Sequence, residues 1–272
     1  MTTLCRWLSV SPSGFYAWEK REASQRYHED QALLVLITKI FWRSEGRYGS
    51  PRVFKALQQQ GIPIGRKRVE RLMRSAGLQG RVVRVTRRQP GLKRFKAKGQ
   101  NLLLAMEAPN AINQVWVADV TYLKLNGQWQ YLATVMDQYS RRIVGWSLSL
   151  SRTTTLTKAA LSYALKKRGY PEGIVFHTDR GIEYAGSEFQ TLLAKQNFKH
   201  SVNRPGCCTD NAYMESFYHS LKAELIRGSA YKNVVSLRRA LAKYINQFYN
   251  KVRLHSGLNY LSPLEYEQSV AP

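Results

Sequence analysis

Cysteine is scarce: Cys5, Cys207 and Cys208 are the only three in 272 residues, two of them adjacent, with no C-x-x-C spacing. That excludes a disulfide framework and a zinc knuckle, and it is the usage of a reducing compartment. Long apolar runs are missing too. The longest, Ala32 to Ile37, falls far short of the roughly 20 residues that a membrane span requires. The opening MTTLCRWLSVS lacks a charged start leading into an apolar stretch of secretory length, so no export is expected. Acids are few, 18 against 42 Lys and Arg, for a net charge of +24. Aromatics, by contrast, are plentiful: 16 Tyr, 9 Phe and 6 Trp within a 44% apolar composition. Such a chain builds a core and is not a disordered basic tail. The expectation is a soluble, intracellular, strongly basic globular protein with no membrane span, long enough for two domains.

A charge this large calls for a polyanionic partner, most simply nucleic acid. It is unevenly spread. Residues 1–112 hold 22 basic and 7 acidic side chains, residues 113–272 hold 20 and 11. No acid interrupts the stretch between Glu70 and Glu107, which carries Arg71, Arg74, Arg81, Arg84, Arg87, Arg88, Lys93, Arg94, Lys96 and Lys98. A run so basic and so poor in apolar residues reads as a solvated, phosphate-tracking segment, with Arg84, Arg87 and Arg88 as candidate DNA contacts.

Residues 4–20 read as short helices around Ser11-Pro12-Ser13-Gly14, with Leu4, Trp7, Leu8, Val10, Phe15, Tyr16 and Trp18 as their apolar set. Leu33, Leu36, Ile37, Ile40 and Phe41 predict a helix over about 29–44. Ser50 before Pro51 reads as an N-cap followed by an N1 proline, starting a helix that stops before Gly61. Another helix, about 66–75, turns Val69, Leu72 and Met73 inward and Lys67, Arg71 and Arg74 to another face. Two short helices about a glycine-containing turn, the second one basic, have the pattern of a helix-turn-helix. Lys67, Arg71 and Arg74 are its candidate phosphate contacts. The expected organisation is a helical DNA-binding region over 1–80, a basic linker over 81–112 and a catalytic region over 113–272.

From Asn113 the pattern turns strand-like. Val115 to Leu123 is β-branched and aromatic on both faces, and Asp119 is its only charge. A carboxylate in such a strand is costly unless paired or bound to a cation. Residues 129–137 and 142–148 predict two more strands, forming a meander with the first. A helix over 154–168 follows, then a short buried strand over 173–179 that ends at Asp179, a helix around 187–196 and a strand around 198–202. The last helix, Asp210 to about Ile226, buries Met214, Phe217, Leu221 and Leu225 and turns Glu215, His219 and Lys222 to a neighbouring face. The 35 residues between Asp179 and Glu215 say little alone. Two aspartates on separate apolar strands and a glutamate on an amphipathic helix say more. Three close carboxylates repel unless cations lie among them. Two magnesium or manganese ions answer that need and are the usual device for in-line attack on a phosphodiester.

Of the other acids, Asp137 reads as a turn residue, Asp210 as a helix start, and Glu183 and Glu188 as loop and helix-surface charges. His177 shares a strand face with Asp179, either as a satisfied core histidine or as support behind the carboxylates. The two adjacent cysteines read as loop packing.

These segments together resemble the OrfB transposases of the IS-three family of bacterial insertion sequences, whose core is similar to retroviral integrase. The resemblance runs through Leu4 to Trp18, Tyr48-Gly49 and Val69 to Arg74. It continues through Trp116 to Tyr122, His177 to Gly181, Asp210-Asn211-Ala212 with Glu215-Ser216-Phe217, and a tail with Tyr249-Asn250, Arg253, His255, Leu258, Ser262-Pro263 and Tyr266-Glu267. It implies an α/β RNase-H-like catalytic core, a mixed five-stranded sheet with helices, behind an all-α helix-turn-helix-like region. It implies Asp119, Asp179 and Glu215 as the metal-binding catalytic triad of a DDE-type polynucleotidyl transferase, and Lys222 near the DNA end. It also implies a homo-oligomer on double-stranded DNA that engages both element ends and target. Residues 1–112 contain only His28 and Cys5 as soft ligands, so the zinc module of retroviral integrase is missing, which favours the insertion-sequence reading. In the family the enzyme is often fused to an OrfA product bearing its own helix-turn-helix and zipper, so recognition of element ends by this chain alone is left open. Two other readings remain, an RNase-H-like nuclease without strand transfer and a catalytically silent DNA-binding regulator.

Overall fold

In the computed structural model, residues 2–81 and 99–270 are described. The expected contacts Arg84, Arg87 and Arg88 lie outside them. The chain divides into two compact units, Met1–Arg81 and Val82–Pro272.

The first unit is helical: α1 (Thr2–Trp7), α2 (Pro12–Glu19), α3 (Gln25–Arg43), α4 (Ser50–Gln59) and α5 (Arg66–Ser75). Its core is Ile37, Ile40 and Phe41 of α3 against Val53 and Leu57 of α4 and Val69, Leu72 and Met73 of α5. Asp30 of α3 accepts from Arg68 Nε at 2.7 Å and Arg71 Nη2 at 2.6 Å, tying α5 to α3. Two expectations fail locally. Gly49, not Ser50, is the N-cap of α4, and no side chain caps it; Pro tolerates either of the first two helical positions, so the helix starts one residue early. The apolar set of α1 and α2 does not form a core: Cys5 is buried, whereas Trp7, Leu8 and Trp18 are exposed.

The second unit is built on one sheet of β1 (Val115–Leu125), β2 (Gln128–Asp137), β3 (Ile143–Ser149), β4 (Val175–Thr178) and β5 (Lys199–Val202), in the order β3-β2-β1-β4-β5. β1 to β3 form an antiparallel meander, and β4 and β5 add in parallel beyond β1. The sheet is mixed because the meander turns are short and the later strands return through α6 (Thr154–Arg168) and α7 (Ser187–Lys195). Trp116, Ala118 and Val120 of β1 face Leu156, Ala160, Leu161 and Ala164 of α6, with Phe176 and Phe189 in the same core. Gly145 on β3 is where α6 lies closest: a Cβ there would run into the Ala160 carbonyl oxygen.

The opposite face takes α8 (Ala212–Leu221), which passes into a π-helical turn at Lys222–Ile226. After it come α9 (Val234–Ala242), a second π-helical stretch (Lys243–Tyr249) and α10 (Pro263–Ser269). The tail is fastened by buried polar groups. The Asn250 side chain accepts from the Ile143 backbone N–H and donates to its carbonyl, acting as an extra rung on edge strand β3. Arg253 and the Tyr244 hydroxyl both donate to the buried Glu224. Glu267 takes Arg168, Arg142 and Ser140. No helix among the described residues is long and apolar enough to cross a membrane.

Candidate active site

Strand register brings the two aspartates together. In the parallel β1–β4 pair, Trp116 stands beside Phe176 and Val117 beside His177. Two residues further along each chain lie Asp119 and Asp179, on the same side of neighbouring strands spaced about 4.8 Å apart. Since Trp116, Ala118 and Val120 face α6, alternation turns Val117, Asp119 and Thr121 to the α8 face. Asp179 lies just past Thr178, the last residue of β4. Carboxyl ends of parallel strands, where the chain reverses direction across a sheet, are where α/β proteins place their sites. Asp119 Oδ1 accepts from the Val120 N–H at 2.7 Å and Asp179 Oδ1 from Gly181 at 2.9 Å. Burial pushes both carboxyls above their ordinary range, and the neighbouring charge of Asp179 pushes Asp119 further.

A third acid stands beside them that the sequence did not single out. Glu183, in the turn Ile182–Tyr184, is 2% exposed, not a loop-surface charge. Arg152, just ahead of α6, donates Nε to Glu183 Oε1 at 2.7 Å, and its Nη2 lies 3.6 Å from Asp179 Oδ2. Gly181 makes room for this arrangement, because a Cβ there would collide with the Glu183 carboxyl group. Glu183 Oε2 and the buried Tyr184 hydroxyl have no hydrogen-bond partner among the described residues. Burial raises the Glu183 pKa while Arg152 pulls it back. No local motif marks this pair in the sequence; it forms only because the turn folds under the start of α6.

α8 lies along the strand that carries Asp119. Asn211 Nδ2 donates to the Ala118 carbonyl at 3.0 Å, and the Tyr218 hydroxyl donates to the Asp119 carbonyl at 2.6 Å. Tyr218 also shares a hydrogen bond with Thr134 of β2 at 2.7 Å. Asn211, Glu215, Tyr218 and Lys222 succeed one another by four, three and four residues, one ridge of the helix. Glu215 therefore sits on the ridge between the two contacts to β1. Lys222 Nζ stacks 4.8 Å from the Tyr122 ring centre; burial lowers its pKa and Asp119 opposes that. Among the described residues, no three of the Asp, Glu, His and Cys side chains converge closely enough to hold a metal ion as they stand. The structure thus gathers Asp119, Asp179 and Glu183, with Lys222 near Asp119, and leaves Glu215 on the adjoining ridge.

The remaining candidates take structural places. Asp137 is a turn residue, accepting from the N–H groups of Asn113, Tyr139 and Ser140. Asp210 does not cap α8: it binds the Arg204 N–H, the Arg204 guanidinium and Asn101, which clamps the loop before the helix. His177 is a satisfied core histidine between Ser201 and Asn203. Glu188 is an exposed helix charge paired with Lys158. Lys67 is exposed, Arg71 pairs with Asp30, and Arg74 pairs with Glu70 on the surface.

A family model described as an integrase core domain matches residues 109–208, a second integrase core model matches 196–263, and an HTH-like domain model matches 28–86. Transposase InsF for insertion sequence IS3A, of Escherichia coli, is 38% identical over 270 residues, 97% of this chain and 92% of that one. The chain belongs to the IS3-family transposases. An insertion element IS600 31 kDa protein of Shigella sonnei is 35% identical over 97% of both chains. The transposase also shares its fold with a chain of the simian T-cell lymphotropic virus intasome, at a TM-score of 0.52 and 15% identity, covering 87% of this chain and 76% of that one. It is a DNA transposase with an integrase catalytic core behind a helix-turn-helix-like domain, and the mixed five-stranded sheet is that core.

Proposed function

We propose that the transposase cuts and joins DNA with two divalent ions, magnesium or manganese, held by Asp119, Asp179 and Glu215. The carrying observation is the register that seats Asp119 and Asp179 side by side on β1 and at the end of β4. The donor chemistry fits a hard cation, since Asp119, Asp179 and Glu183 all offer carboxylate oxygens and one, Glu183 Oε2, has no hydrogen-bond donor among the described residues. The raised pKa values of Asp119 and Asp179 mean that their charged forms gain from a cation more than exposed carboxylates do. Glu215 completes the set by closing from the α8 ridge.

Bound ions of this kind lower the pKa of the attacking oxygen and balance charge at phosphorus. The chain supplies the geometry. β1 and β4 fix the two aspartates, and Tyr218 and Asn211 hold α8 against β1, so a DNA strand meets a preformed acidic floor. Water attacks the phosphorus at the element end and the bond from phosphorus to the 3′ oxygen breaks; one water proton ends on that oxygen as the 3′-hydroxyl and the other leaves from the new 5′-phosphate to solvent. That hydroxyl then attacks a target phosphodiester, giving up its proton and displacing a target 3′ oxygen. Lys222, half-buried beside Asp119, neutralises phosphate at the element end. Lys67, Arg71 and Arg74 of the first unit, with Arg84, Arg87 and Arg88, hold flanking phosphates. Joining two ends at one target needs a site for each, hence a homo-oligomer on DNA, with an OrfA product as a partner for end recognition.

Labelled element ends incubated with the protein, magnesium and, as a second arm, the OrfA product test this. Wild type gives joined molecules and Asp179→Asn gives none. Cut ends without joined molecules would favour the nuclease reading. Salt-sensitive binding with no cleavage, unchanged by removing all three acids, would favour the silent regulator.

A further inference from the structure

Arg152 is a guanidinium pinned from behind. Its Nε and Nη2 both reach Oε1 of the buried Glu183, at 2.7 and 2.5 Å. Toward Asp179 its Nη2 stops at 3.6 Å, near enough for charge and too far for a hydrogen bond. Arg152 therefore does not use up the oxygens of Asp179. Its side chain is 31% exposed, so the guanidinium is not sealed off from solvent. A pocket holding Asp119, Asp179 and Glu183 repels a phosphodiester unless fixed cations flank it. Lys222 lies near Asp119. Arg152 stands against Asp179.

We propose that Arg152, fixed by Glu183, binds the DNA phosphate that enters the Asp119–Asp179 pocket. The ligand class is a phosphodiester, which a guanidinium grips through charge-assisted, directional N–H···O bonds. Glu183 is the positioning residue: it aims the fork. The inference rests on the reading of Asp119 and Asp179 as the catalytic floor.

Arg152→Gln alone strands a buried Glu183, so the informative variant is the double Arg152→Gln, Glu183→Gln, with Arg152→Lys as the conservative partner. The full-length protein is titrated, in calcium to hold off cleavage, with a labelled duplex of the element end. A second duplex carries a neutral methylphosphonate at the phosphate to be cut. Wild type should bind the phosphodiester about tenfold more tightly than the methylphosphonate, with a salt slope steeper by about one ion. In the double variant both differences shrink severalfold, and Arg152→Lys restores part of them. A purely structural ion pair instead lowers the melting temperature while wild type and double variant discriminate equally, which overturns the proposal. Should wild type itself fail to discriminate, the phosphate does not enter this pocket, and it is the proposed function that fails.

Discussion

Asp119 is the residue whose chemistry is most exposed to test. Its carboxyl is raised well above the ordinary range by burial and by Asp179, so between about pH 4 and its folded pKa the native state holds a proton that the unfolded chain has lost. The sign follows: without divalent ions, these acids make the protein less stable as pH climbs through that window. Asp119→Asn removes the cost. We expect the variant to melt a few degrees higher than wild type at pH 8 in EDTA, yet to lose all strand transfer, as functional groups often trade stability for chemistry. Calorimetric melting with and without EDTA checks this, and an unchanged or lower melting temperature would count against it. Ion binding must expel the extra protons, so magnesium should raise the melting temperature more at pH 8 than at pH 5. Asp119 was legible because it is the lone charge in an apolar strand. Glu183 was not, because Gly-Ile-Glu-Tyr looks like a surface turn until Arg152, 31 residues earlier, covers it.

At the scale of elements, the sequence foretold most of what periodicity and caps determine. The α6 bounds follow from a helical apolar face and from Gly169, which closes the helix in the left-handed conformation at φ 71°. What eluded it are features set by distant partners: Asp210 clamps a loop through Arg204 and Asn101 instead of starting α8, and the α1–α2 apolar set leaves Trp7 85% exposed. The tail motif likewise had no evident purpose until Asn250 and Glu267 were seen to fasten it to β3 and its neighbours, and Arg253 to Glu224 after α8. The Arg253–Glu224 pair is buried, so Arg253→Met alone should cost about 3–5 kcal/mol by stranding a charge, whereas Arg253→Met with Glu224→Met should recover most of it. Urea titrations distinguish the two, and equal losses would contradict the pairing. Gly145→Ala should lift α6 from β3 and cost about 1–3 kcal/mol, read by the same titrations.

Across the whole molecule the charge of +24 dominates. DNA affinity should fall steeply and log-linearly with salt, each phosphate contact contributing about 0.9 to the slope. Lys67→Ala should lower the slope by about one. Arg71→Ala should lower it less, since that guanidinium is already held by Asp30 at 2.6 Å. Fluorescence anisotropy over a salt series measures both, and a larger effect for Arg71 would reverse the assignment. The integrase core joins this charge to a sheet whose register brings Asp119 and Asp179 into line, with Glu215 on the α8 ridge. Crystals of the transposase with manganese, read by anomalous diffraction, probe that arrangement directly. We expect density for the ions between Asp119 and Asp179, with a Glu215 oxygen drawn into the coordination shell. Manganese bound elsewhere, or bound without a Glu215 oxygen, would contradict it.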